Sequence, residues 1–101
     1  MPVQKSKLIN PKTMPHILAR LEGIKPEIIK SVLKADAPQH AQQGFYLEHI
    51  WQNSDDKNEV FFLFKAKNIN HAKKFIKKMH TQALKENPKA NLPQMVFLEE
   101  K

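Results

Sequence analysis

The clearest alternation of apolar and polar positions lies in the last third of the chain. Between Asn68 and Asn87, the residues Ala72, Phe75, Ile76, Met79, Ala83 and Leu84 recur at helical intervals and form one stripe. The spacing predicts an amphipathic helix that Asn68 or Asn70 can cap and Asn87-Pro88 ends. Just upstream, Glu59–Lys67 reads Glu-Val-Phe-Phe-Leu-Phe-Lys-Ala-Lys, a short aromatic run suited to a strand. Gly44–Gln52 is likewise aromatic and β-branched, and the polar cluster Asn53–Asn58 between the two predicts a hairpin. Met95–Glu99, set off by Pro93, reads as a short final strand.

The N-terminal half is less regular. Lys25–Gln43 carries Pro26 at a first-turn position, and Ile28, Ile29, Val32 and Leu33 follow at helical spacing. Pro38 should kink this helix or end its first part, and Gln43-Gly44 should close it. His16–Ile24 reads as a strand, and the proline-bearing Met1–Pro15 as a flexible arm ahead of a single domain over 16–101. The element order is then strand, helix, strand, strand, helix, strand. It predicts an α+β, ferredoxin-like domain: a four-stranded antiparallel sheet with both helices on one face.

Composition narrows the chemistry. The 101 residues contain no cysteine, which excludes disulfides, thiolate metal sites and a thiol nucleophile. With only Gly23 and Gly44, no phosphate-cradling loop can be written, and no serine sits in a Gly-x-Ser-x-Gly turn. The five histidines show no metal-ligand spacing, so neither metal nor cofactor is expected. No apolar run approaches the ~20 residues of a membrane helix, and Met1–Pro15 has no signal-peptide core. A cytoplasmic protein is the expectation. The net charge of +7 is uneven: between Lys65 and Lys89 eight lysines face one acid, Glu86, so this window carries the whole excess.

Several stretches resemble a known family. They are His16-Ile-Leu-Ala-Arg-Leu-Glu, Ala37-Pro-Gln-His-Ala-Gln-Gln-Gly-Phe, Trp51 through Phe64, Ala72-Lys-Lys-Phe and Pro93-Gln-Met-Val-Phe-Leu-Glu. From His16 to Glu100 the chain resembles small bacterial domains of the dimeric α/β-barrel superfamily, related to antibiotic-biosynthesis monooxygenases. The pattern is structural and contains no catalytic signature. The resemblance implies a homodimer and a pocket between sheet and helices, and leaves the reaction open.

The residues support dimerisation independently. Val60, Phe62 and Phe64 share one strand face and Phe61 and Leu63 the other, with Phe45 and Leu47 alternating against Tyr46 and Ile50. Helices cover only one face. At roughly 25 cal/mol per Å2, several hundred Å2 of uncovered apolar surface favours association by several kcal/mol before entropy.

The site expected from these readings binds or converts a small organic molecule, without metal or nucleotide. His49, alternating with Leu47 and Trp51 on an enclosed face, and His40, after the Pro38 kink, are the candidate catalytic groups. Arg20, the only arginine, is a candidate carboxylate clamp, with a salt bridge to Glu22 or Glu48 as the plainer role. Tyr46 and Trp51 are candidate walls. His71 and His80 read as residues that flank the last helix. The alternative is nucleic-acid binding through Lys73, Lys74, Lys77 and Lys78. Against it, the third strand opens Asn-Glu-Val without the basic-Gly-aromatic pattern of RNA-recognition motifs, and the first strand has no aromatic residue.

Overall fold

Six elements follow one another in the computed structural model, which describes residues 14–100. They are β1 (His16–Glu22), α1 (Pro26–Gln42), β2 (Phe45–Asn53), β3 (Asp56–Ala66), α2 (Ile69–Glu86) and β4 (Gln94–Leu98). The strands form one antiparallel sheet in the order β2-β3-β1-β4. The domain is α+β, with two helices and a four-stranded sheet, and is compatible with a ferredoxin-like fold. Most of the expected arm lies outside the described residues. Within them, the Pro15 carbonyl accepts the Ala66 N–H at 2.9 Å. No helix among the described residues is long and apolar enough to cross a membrane.

Local chemistry explains the boundaries. Pro26 opens α1 because its missing N–H is unneeded there. Of the two expectations for Pro38, the ending of the helix does not occur: α1 runs through it to Gln42. The proline leaves the Lys34 carbonyl without its helical partner, but both residues are exposed, so water can take the bond. Asn68 caps α2, its side-chain oxygen accepting the His71 N–H at 3.0 Å. The β2–β3 turn is tighter than the six-residue polar cluster suggested. Asn53 pairs with Asp56, and the Asn53 Oδ1 accepts the Asp55 N–H at 2.8 Å. β1 stops at Glu22 rather than Ile24, because Gly23 turns the backbone with φ +77°.

The core lies between the sheet and the helices. Ile17, Ala19 and Leu21 of β1 and Val60, Phe62, Phe64 and Ala66 of β3 point towards it. Ile29 and Leu33 of α1 and Ala72 and Ile76 of α2 close over them. One irregularity reassigns the edge strand. The register with β3 slips between Leu47, opposite Phe64, and His49, opposite Leu63, so Glu48 is an extra residue. Beyond this bulge Ile50 lies opposite buried Phe62 on the helix side, while His49 and Trp51 lie on the other face. This corrects two sequence expectations: His49 does not share a face with Leu47, and Ile50 does not share one with Tyr46. Strict alternation cannot register an added residue.

Gly44 joins α1 to β2 with φ +84° and donates its N–H to the Ala41 carbonyl at 3.0 Å. A Cβ there would meet only the Lys67 Cβ at 3.7 Å, an ordinary contact, so any penalty comes from the backbone. Gly44→Ala is expected to destabilise the domain by about 1–2 kcal/mol in urea denaturation, and Gly44→Asn by less.

Candidate functional site

A cavity of about 390 Å³ separates the helices from the sheet. Its sheet side is aromatic (Phe45, Phe62, Phe64), and its helix side carries Val32 and Leu33 from α1 and Ile76 and Met79 from α2. Helical spacing supplies its polar groups. Asp36 and His40 continue the line of Ile29 and Leu33 on α1, and His80 continues that of Ala72 and Ile76 on α2. Gln39 and Asn91 complete the polar lining.

Both imidazoles are half-buried. His40 stacks on the Phe45 ring at 4.7 Å between centroids and meets the edge of Phe64 at 5.4 Å. Burial lowers the His40 pKa, and the nearby Asp36 charge opposes that shift only in part. Burial likewise lowers the pKa of His80. At neutral pH both are therefore uncharged, each with one N–H donor and one bare nitrogen acceptor.

The opposite face of the sheet is uncovered in the single chain. Trp51 is 47% exposed and stacks on His49 at 4.9 Å, with the rings 18° from parallel. Phe61 and Leu63 of β3 and Leu18 of β1 extend this surface to exposed Val96 and Leu98 of β4. Polar clusters bound both ends. At one end the Arg20 guanidinium pairs with Glu59, reaches Glu22 at 2.8 Å and donates to the Gln94 Oε1 at 3.0 Å. Asn53 donates to the other Glu59 oxygen at 2.6 Å, and the Asn53 and Arg20 bonds hold the Glu59 pKa below the usual carboxylate range. The Glu59 bond in turn raises the Arg20 pKa. At the other end His16 Nε2 lies 3.1 Å from Glu48 Oε1, and Lys65 Nζ lies 4.0 Å from its second oxygen.

The expected site residues are thus divided between two surfaces. His40 lines the cavity. His49, Trp51, Tyr46 and Arg20 do not: the bulge turns the first two away, Tyr46 pairs with Lys65 on the open side, and Arg20 is occupied by carboxylates. Arg20 takes Glu22 and Glu59, whereas Glu48 turns to His16 and Lys65. His80 is the cavity residue the sequence reading passed over, although its i+4 spacing from Ile76 was legible. His71 bonds Gln43 at 2.7 Å instead. Lys73, Lys74, Lys77 and Lys78 are all exposed on α2. Among the described residues no group of three or more histidines or carboxylates is placed to hold a metal ion. No protein-family model matches the chain, and no curated protein shows significant similarity to it.

The lowered histidine pKa values make stability pH-dependent with a definite sign. The unfolded chain binds protons at these histidines from near pH 6.5 downward, before the folded state does, so stability falls as the pH drops through that window. The loss ends below the lowered folded pKa values, and Glu59 adds a separate loss below about pH 4.5 as its carboxylate protonates. Thermal melts should show a lower Tm at pH 5 than at pH 7.5, and the double substitution His40→Gln, His80→Gln should flatten that interval.

Proposed function

We propose that the protein binds a small, mainly apolar organic molecule in the cavity between its sheet and its helices, as a homodimer joined through the open sheet faces. The observation that carries the ligand reading is the polarity of the cavity: aromatic and aliphatic walls interrupted by two imidazoles that burial keeps neutral. Such a site favours a neutral ligand with a hydroxyl or carbonyl oxygen, because the imidazoles can donate one hydrogen bond and accept another. A charged ligand would pay desolvation without an opposite charge to repay it, apart from Asp36 for a cation.

The dimer reading follows from the sheet. Trp51, Val96 and Leu98 are exposed on one face in the single chain, and polar clusters flank them at both ends. An apolar centre with a polar rim is the anatomy of a protein interface. A second copy seated there would build the dimeric α/β barrel that the sequence resembles. His49 and Trp51 then act at the subunit contact, and Arg20 and Tyr46 at its margin, rather than on the ligand.

The uncharged fluorophore N-phenyl-1-naphthylamine tests the ligand reading. Saturable, blue-shifted emission is expected with one site per protomer. Val32→Trp, at a partly exposed position on the cavity wall, should weaken binding at least tenfold while circular dichroism stays unchanged. Unsaturable emission, or binding indifferent to Val32→Trp, would count against the cavity as the site.

A further inference from the structure

The helix α2 carries a surface that the cavity and the open sheet face leave unused. At 100° per residue, Lys73, Lys77, Lys74, Lys85 and Lys78 fall in that angular order within an arc of about 140°. Asn70 and Thr81 lie inside the same arc and add neutral hydrogen-bonding groups, and one exposed apolar residue, Leu84, lies there between Lys73 and Lys77. Of the 18 helical residues Ala72 and Ile76 are buried and Ile69 and Phe75 pack partly against the core, which leaves the lysine arc open. Among the described residues none of these five lysines has a carboxylate within ion-pair distance. Glu86, the one acid on the helix, accepts a bond from Gln82 at 3.0 Å.

This arrangement disfavours the helix in isolation. Lys73/Lys77 and Lys74/Lys78 are like-charge pairs at i,i+4, each costing about 0.2–0.5 kcal/mol. The first turn contains no acidic residue to meet the helix dipole, and Lys73 and Lys74 sit close behind it. A polyanion offsets all of these repulsions at once.

We propose that α2 is a docking ridge for the phosphate backbone of double-stranded DNA, entering the major groove without reading its sequence. Shape selects this occupant. An α-helix with side chains is about 10–12 Å across, and the major groove of B-DNA is about 12 Å wide. Lysines spread over a wide arc reach phosphates on both walls of such a groove. Only one row of them would touch a flat anionic membrane. The major groove of duplex RNA is too deep and narrow to admit the helix. Lysine in place of arginine gives point contacts to phosphate and no bidentate fork for guanine, so the affinity is electrostatic and salt-dependent. Lys73 marks the margin of the ridge, its ammonium resting 5.5 Å from the Phe97 ring centre.

Fluorescence anisotropy with a labelled 20-base-pair DNA duplex of arbitrary sequence tests the proposal. With about four phosphates contacted, affinity should fall roughly 100-fold between 50 and 200 mM salt. Replacing Lys73, Lys74, Lys77 and Lys78 with glutamine should weaken binding at 50 mM salt at least 100-fold and flatten the salt slope by about four. The control replaces Lys25, Lys30, Lys34 and Lys57, four exposed lysines outside the ridge, which removes the same charge. It should lower affinity less than tenfold. Equal losses in the two quadruple variants would overturn the proposal, because net charge alone would then explain binding. So would duplex RNA bound as tightly as DNA, phosphatidylserine vesicles bound in preference to DNA, or no DNA binding at 50 mM salt.

Discussion

A four-stranded sheet has two faces, and the described residues form two helices with which to cover them. Both helices lie on the same side, where β1 and β3 present an unbroken set of buried side chains from Ile17 to Ala66. The chain has no further described element for the other side, yet Phe61, Leu63, Leu18, Trp51, Val96 and Leu98 occupy it. Burial on one face therefore fixes the fold, and the other face keeps its apolar side chains exposed in the single chain. The polar clusters around Arg20 and Glu48 mark where that apolar surface stops. Glu59, 8% exposed and held by Asn53 and Arg20, shows that the boundary is built from satisfied groups rather than loose surface charge.

The single extra residue at Glu48 has consequences on both sides of the sheet. It sends Ile50 to the helices and delivers His49 and Trp51 to the open face as a stacked pair. Bulges are common on edge strands, where they raise local twist and discourage uncontrolled pairing, and β2 is an edge strand. The same shift removes His49 from the cavity, whose two imidazoles are those of His40 and His80, brought from two different helices.

Much of the architecture was legible because it rests on local rules. The stripe from Ala72 to Leu84, the cap at Asn68 and the aromatic run through Phe64 each specify an element without help from the rest of the chain. Five of the six elements lie within two residues of where periodicity puts them, and the start of β3 moved back three, to Asp56, when the hairpin turn tightened. Pro38 did not end α1, because it is exposed, where water can take the bond its missing N–H leaves open. The site was less legible. His40 was found from its place on α1, while His80 was set aside as a flanking residue although it stands four positions after Ile76. His49 was assigned to the wrong face because a bulge is a property of strand pairing, invisible in one strand read alone. Arg20 stood out as the only arginine, but its partner Glu59 is 39 positions away and reached only through β1–β3 register.

The cavity, the basic ridge and the open face occupy separate parts of one small domain, and the proposed dimer rests on the open face. Sedimentation equilibrium at micromolar concentration tests that dependence most directly. The account predicts a particle of twice the 11.8 kDa chain mass, converted by Trp51→Glu to a folded single chain. A wild-type protein that sediments as a stable, unaggregated 11.8 kDa particle would contradict it.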